Sequence, residues 1–205
     1  MCIRDRTLLP GLIDSHTHAK PPALEMALTF GVTTELDMFS EPGYMTEQRR
    51  EAQTRNSMAD VRSAMTGASV AGGHPSGMIG VVFDKQYPVL ENAEDAEAFV
   101  AARVAEGADY FKLMIEDGTI FGHEAPRLSD EMVYALVAAA HAQGLMAVAH
   151  ATTVELALLA IRAGVDGLMH VAGDRLMTDE EVAAVAQSGI FVVPTLSAMA
   201  SAYGD

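Results

Sequence analysis

Leu8-Leu9-Pro10-Gly11-Leu12-Ile13-Asp14-Ser15-His16-Thr17-His18 is the stretch around which the rest of the chain can be ordered. An apolar run leads into two histidines separated by one residue, and the two-residue period of a β-strand puts both imidazoles on one face. Two imidazoles at that spacing can hold one divalent metal ion. If a metal sits at the end of this strand, later strands must bring further ligands to the same end.

From Leu8 onward, short apolar runs alternate with longer helix-like stretches, which is the pattern of parallel β/α architecture. Strands are expected at residues 9–15, 32–38, 61–65, 110–115, 145–150, 167–171 and 190–195. Helices are expected at 23–30, 47–58, 93–106, 130–143, 153–163 and 179–187. Ser129 and Thr178 read as N-caps, and Gly31, Gly107, Gly144, Gly164 and Gly189 as C-terminal stops. Gly-Gly-His-Pro-Ser-Gly at 72–77 opens a long loop that reaches residue 90, with one extra strand expected at 78–83. Seven such units can close as a doubly wound sheet or as an eight-stranded barrel lacking its last unit. Ligand placement separates the two: every strand of a barrel ends at one mouth, whereas an open sheet offers only a crevice at its switch point.

Composition narrows the partners. With 28 acidic against 13 basic residues the 205-residue chain has a formal net charge of −15, which argues against nucleic acid or anionic lipid, since both are bound by clustered Lys and Arg. No apolar run approaches the roughly 20 residues of a transmembrane helix. A single cysteine, Cys2, excludes an internal disulfide framework and a Cys-based zinc site. Metal ligands must therefore come mainly from the seven histidines and the carboxylates. Residues 1–6 lack the apolar core of a signal peptide and do not lead naturally into the following strand; they are read as a non-native leader, with 7–205 forming one partial barrel domain.

Polar residues at the strand ends are the candidates for chemistry. His16 and His18 follow the first strand, Lys112 lies within the fourth, and His150 and His170 end the fifth and sixth. A lone histidine on an apolar face is more often a satisfied core residue. A lysine in a buried strand demands an explanation, because an unpaired buried ammonium is strongly disfavoured.

The segment from Pro10 to His18, with Lys112, His150 and His170 in that order, resembles the metal-dependent amidohydrolase superfamily, and within it members similar to imidazolonepropionase and to metal-dependent Xaa-Pro dipeptidases. The resemblance runs from Leu8 to Leu196. It implies a TIM-type (β/α) barrel and hydrolysis of an amide-type C–N bond. It further implies that His16 and His18 bind the more buried of two divalent ions. Lys112, carboxylated by carbon dioxide or bicarbonate, would bridge the pair, and His150 and His170 would bind the second ion. Lys112 and His170 are the catalytic candidates. Zinc is the default metal, with Mn, Fe, Co and Ni open. A bridging water acidified by the metals would supply hydroxide near neutral pH.

The family pattern closes with an aspartate on an eighth strand, and many members add a small β-sandwich built from both termini. Asp205 stands ten residues past residue 195 and does not suit a strand end. The expectation is thus a barrel of seven strands without its eighth unit or sandwich segments: a fragment of a larger enzyme, inactive as it stands. A mononuclear enzyme without Lys112 carboxylation and a truncated barrel with no catalytic role are the alternatives. Asp14, sharing parity with the two histidines, is a candidate to orient an imidazole from behind. His74 and His123 lie on loops where substrate contacts would arise. His141, in the last turn of an expected helix, and the 13 methionines read as structural. The substrate expected is a small or dipeptide-like molecule; a peptide ending in proline, an N-acyl amino acid and a cyclic amide stay open. Homo-oligomerisation is open too, and localisation is not legible, with the cytoplasm as default.

Overall fold

The computed structural model of the chain describes residues 2–3, 6–78 and 86–203. Its parallel strands are β1 Leu12–Thr17, β2 Val32–Asp37, β3 Asp60–Ser63, β4 Phe111–Met114, β5 Ala147–His150, β6 Gly167–Met169 and β7 Phe191–Val193. The helices are α1 Ala23–Thr29, α2 Pro42–Ala52, α3 Ala96–Ala105, α4 Asp130–Ala142, α5 Val154–Ala163, α6 Asp179–Ser188 and α7 Leu196–Tyr203. A two-residue antiparallel pair, Cys2–Ile3 against Arg6–Thr7, precedes them.

Strand order follows sequence order. β1-β2-β3 and β4-β5-β6-β7 are the two hydrogen-bonded runs. The seam between them is closed where Ala68 pairs with Leu113: the Ala68 N–H donates to the Lys112 carbonyl at 2.8 Å, and the Met114 N–H to the Ala68 carbonyl at 2.9 Å. Among the described strands none doubles back, so the reversal that defines a doubly wound sheet is not there. This is the strand order of a (β/α)-barrel wall. The wall curls: the ring of His16, near the end of β1, lies 4.7 Å from that of His170, just past β6.

Alternation along the strands sorts side chains onto two faces. Phe111, Leu113 and Ile115 point outward into the largest core, shared with Val100 of α3, Leu136 and Val137 of α4 and Leu156 of α5. Tyr110 points inward to pack with Met38, Ala64, Val148 and Met169. Lys112, at the same parity as Tyr110, therefore faces the interior. β4, β5 and β6 are buried along their whole length, whereas Leu12 and Ile13 of β1 and Phe191 and Val192 of β7 remain exposed at the two margins.

All seven expected strands are present, and most helix boundaries agree within a residue or two, because the caps were readable. The Ser129 hydroxyl accepts the Met132 N–H, and Thr178 with Glu181 forms a capping box. Gly164 ends α5 at φ +88°, a conformation that costs a residue with a Cβ. Two boundaries need correction. β1 starts three residues later than expected and contains His16. The helix expected at 47–58 runs instead from Pro42 to Ala52, since Glu41 caps the Tyr44 N–H and Pro42 occupies the first turn. α7 has no counterpart among the expected elements. The extra strand expected at 78–83 lies, beyond Met78, outside the described residues, as does Asp205.

Burial sets the energetic weight of these positions. Leu136 is fully buried and Leu176 is 93% exposed. Leu136→Ala should cost about 2–5 kcal/mol of unfolding free energy and Leu176→Ala under about 0.5 kcal/mol, both read from urea midpoints at constant m-value.

Candidate metal centre

A register shift places the first two histidines. Asp14 pairs with Glu35 and Thr17 with Asp37, so three steps along β1 match two along β2, and strict alternation breaks between them. Parallel partners project to the same side, which sends Asp14 and Thr17 to the face of Glu35 and Asp37 and leaves His16 and His18 to turn the other way. The parity that joined Asp14 to the histidines is thus lost. Its carboxylate is exposed and accepts the backbone N–H of His16 at 3.1 Å rather than an imidazole.

Five imidazoles neighbour one another in succession. His18 to His16 is 5.7 Å between ring centres, His16 to His170 4.7 Å, His170 to His150 4.3 Å and His150 to His74 4.5 Å. His150 ends β5 with its neighbour Val148 on the inward face. His170 gets there differently. Met169 already points inward, so plain alternation would turn His170 out, and the residue adopts φ +140°, a region L-residues rarely occupy. The bent backbone brings His170 Nε2 to 2.9 Å from His150 Nδ1, and His170 Nδ1 lies 2.7 Å from the hydroxyl of Thr195, itself at φ +49°. Strain at two touching polar residues is the kind that functional sites store.

Lys112 completes the group. It is fully buried, and its Nζ has no hydrogen-bond partner; the same holds for His16 Nδ1 and His150 Nε2. Burial holds the Lys112 amine well below its ordinary pKa, against the pull of the Asp37 carboxylate. Burial likewise lowers His18 and His74 to about 4 and His170 to about 2, and it pushes His16 and His150 far down. At neutral pH the cluster is therefore a set of uncharged nitrogen bases, the protonation state a metal requires of its ligands.

The donor chemistry fits a divalent ion: neutral imidazoles and a buried lysine, three of whose nitrogens (Lys112 Nζ, His16 Nδ1 and His150 Nε2) have no hydrogen-bond partner. The rotamers present are those of a histidine group satisfied partly by itself. Among the described residues no three His, Cys, Asp or Glu side chains converge as ligands of one ion.

Three supporting residues were not anticipated. Asp37, wholly buried at the end of β2, accepts the Ala19 N–H at 3.0 Å and the Ser40 and Ser63 hydroxyls at 2.7 and 2.6 Å, tying the ends of β1, β2 and β3 together. Burial pushes its carboxyl up to about 6 while those hydrogen bonds pull down. Glu116, just past β4, accepts the Gly118 N–H and the Thr152 hydroxyl and lies 3.4 Å from His150 Nε2. Thr195 is the third. Each is a polar residue at a strand's carboxyl end, and reading every strand end, not only those with His or Lys, would have found them.

The loop histidines part company. His74 joins the cluster, whereas His123 stays exposed, its ring 6.3 Å from that of Phe121. Both border a cavity of about 280 Å³ beside Glu116. A larger cavity, about 620 Å³, opens at His18. His141 pairs with Asp166 at 2.9 Å on the surface, away from the cluster.

Residues 7–205 match the model of the amidohydrolase family. Over 109 residues the chain is 34% identical to the uncharacterized protein Rv2915c of Mycobacterium tuberculosis and the uncharacterized protein Mb2939c of Mycobacterium bovis, across 52% of this chain and 28% of each relative. Its structure is similar to an Xaa-Pro dipeptidase with bound methionine in the active site (25% identity, TM-score 0.73, 94% of this chain and 54% of that one). It is also similar to an amidohydrolase (26%, 0.72, 94% and 55%) and, in fold, to A. niger ochratoxinase (20%, 0.72, 93% and 53%). The chain spans about half the length of these solved structures.

The lowered histidines fix how stability depends on pH. Unfolded, His18 and His74 take up a proton near 6.5; folded, only near 4. Their contribution is complete above pH 6.5 and is lost as pH falls toward 4, because there the unfolded chain binds more protons. Asp37 runs the other way: raised from 3.8 to about 6, it favours the fold below 3.8 and loses that advantage as pH rises through 6. Glu35 is raised by burial as well, and the five lowered histidines outweigh these two raised carboxyls. The urea midpoint measured in chelator should drop between pH 6.5 and 4, and a flat or rising midpoint across that window would contradict the assignment.

Proposed function

The chain belongs to the amidohydrolase family, and we propose that its strand-end cluster is the metal centre of a hydrolase acting on amide-type C–N bonds. The observation that carries this reading is the convergence of Lys112 with His16, His18, His150 and His170, from four strands, in a neutral and partly orphaned state. His16 and His18 would hold one divalent ion, and His150 and His170 a second. The metals, zinc by default, would acidify a water and polarise the substrate carbonyl. In the net reaction the C–N bond breaks, the water's hydroxyl goes to the acyl carbon and its proton to the leaving nitrogen.

The chain's own residues set the stage for this. The buried, uncharged Lys112 amine is the form that reacts with carbon dioxide: nitrogen bonds to the carbon, one proton is released, and the carbamate anion replaces a group that could not stay charged alone. So converted, Lys112 would join the four histidines as an anionic ligand for the divalent ions. The Thr195 hydroxyl at His170 Nδ1 leaves Nε2 of that ring to face the cluster, and the Glu116 carboxylate lies 3.4 Å from His150 Nε2 without hydrogen-bonding it. Met38, Tyr110, Val148 and Met169 wall the interior against water. The exposed margins Leu12, Ile13, Phe191 and Val192 are where an eighth strand would complete the barrel. The bound methionine named for the Xaa-Pro dipeptidase points to amino-acid-derived substrates.

Metal analysis tests the reading. The protein should hold up to two divalent ions per chain; His16→Ala and Lys112→Ala should each lose at least one, and surface His141→Ala should lose none. If Lys112 is carboxylated, bicarbonate should raise metal content and any amide hydrolysis; one ion per chain, insensitive to bicarbonate, would instead support the mononuclear alternative. No bound ion in the unaltered protein would sink both.

A further inference from the structure

Glu116 stands two residues past β4 and is 1% exposed, yet among the described residues its one ion-pair contact is with a histidine, His150. Its carboxylate is held from two sides. The Gly118 N–H donates to Oε1 at 2.7 Å, and the hydroxyl of Thr152, itself buried, donates to Oε2. The turn that aims the Gly118 N–H needs a glycine, because φ is +85° and a Cβ there would come within 2.6 Å of the His123 carbonyl oxygen. Two such donors leave the carboxylate little freedom, and what remains in front of Oε2 is His150 Nε2, at 3.4 Å. That nitrogen is buried and has no hydrogen-bond partner.

The neighbouring rings bear on where the His150 hydrogen sits. His150 Nδ1 faces His170 Nε2 at 2.9 Å, so one of the two nitrogens carries a hydrogen and the other a lone pair. With the hydrogen on His150 Nδ1, the bare Nε2 would face the carboxylate lone pair to lone pair, in a buried setting that screens the repulsion poorly. With it on His170 Nε2, the neutral His150 carries its own hydrogen on Nε2 toward Glu116, and His170 Nδ1 accepts from the Thr195 hydroxyl at 2.7 Å. The second arrangement gives each of these atoms a complementary neighbour. At 3.4 Å the contact with Glu116 is electrostatic rather than a hydrogen bond.

We propose that Glu116 is a positioning residue, whose carboxylate keeps the His150 hydrogen on Nε2 and so leaves the Nδ1 lone pair facing His170. This rests on the metal-centre reading of the cluster and adds to it which nitrogen of His150 is offered to an ion. It is the service expected of Asp14, performed at a different strand. A carboxylate behind an imidazole fixes the ring's tautomer and raises its basicity as a ligand. His150 Nδ1 and His170 Nε2 are then the two nitrogens that would hold an ion together, and the hydrogen between them is the one released to solvent on its uptake.

Nitrogen-15 NMR of the whole chain, with labelled histidines and with chelator present near neutral pH, reads the tautomer of each ring without metal or turnover; a His150→Gln variant identifies the His150 signals. His150 should be the Nε2–H form. Glu116→Leu should abolish that preference, whereas Glu116→Gln, whose amide oxygen can accept where Oε2 does, should keep it. Thr152→Val disturbs the same packing but leaves the carboxylate, and it should keep the tautomer too. Zinc affinity, measured by competition with a chromogenic chelator, should fall about 10–100-fold in Glu116→Leu and stay near that of the unaltered protein in Glu116→Gln. An Nδ1–H form in the unaltered protein would overturn the proposal with no variant needed. A tautomer or a zinc affinity unchanged in Glu116→Leu would overturn it as well. Zinc bound by a protein whose His150 is the Nδ1–H form would leave the metal centre standing and remove Glu116 from it. The Nε2–H form in a protein that takes up no zinc would do the reverse.

Discussion

A primary amine enclosed in the interior of the strand wall, with no hydrogen bond to its nitrogen, is the constraint around which this molecule is arranged. Carried as an ammonium, Lys112 would forfeit its hydration and gain little in return, since among the described residues Asp37 is the carboxylate whose charge reaches it. The amine must therefore be neutral or chemically converted. The same poverty of compensating charge keeps the surrounding imidazoles unprotonated. What results is a pocket of nitrogen lone pairs inside an apolar wall, hostile to protons and receptive to a multiply charged cation that can pay for its own desolvation by binding several of them at once.

Holding such a pocket open requires a frame stiff enough to resist its rearrangement. Asp37 supplies much of that stiffness on the other face of the sheet. One carboxylate gathers the residue after His18, the turn after β2 and the end of β3, and the Tyr110 hydroxyl caps the Asp37 carbonyl from inside at 2.7 Å. His18 in turn donates from Nδ1 toward the Phe39 carbonyl at 3.4 Å, within the segment that Asp37 organises. The histidine-bearing and helix-facing sides of β1 and β2 are thus coupled through a few hydrogen bonds rather than through the bulk of the core.

The fold was legible because its signals are local. Apolar runs bounded by glycines, and caps such as Ser129 and Thr178, declare themselves within a few residues. α2 was misplaced where the deciding cap, Glu41, precedes a proline rather than a hydrophobic run, and α7 carries no cap signal at all. The site was legible where chemistry is rare in its setting: Lys112 in an apolar strand, His16 and His18 as a pair. It was not legible where geometry departs from alternation. The extra residue in β1 that separates Asp14 from His16, and the backbone twist that turns His170 inward, leave no mark in composition or period. Only the register and the dihedrals reveal them. Asp37 and Glu116 were passed over for a different reason, since acidic residues at strand ends are common and nothing in the sequence tells a buried one from a solvated one.

The backbone of His170 has a practical corollary for anyone engineering this scaffold. At φ +140° a glycine would sit without the cost a side chain incurs there, which for strained non-glycine residues is about 1–3 kcal/mol. A search that rewards thermal tolerance alone would accordingly be drawn to replace this histidine, and the improved heat resistance would arrive together with the loss of the ring that links β5, β6 and the turn at Thr195. Robustness and competence pull against each other at a single dihedral angle, so selection on this chain has to score both at once.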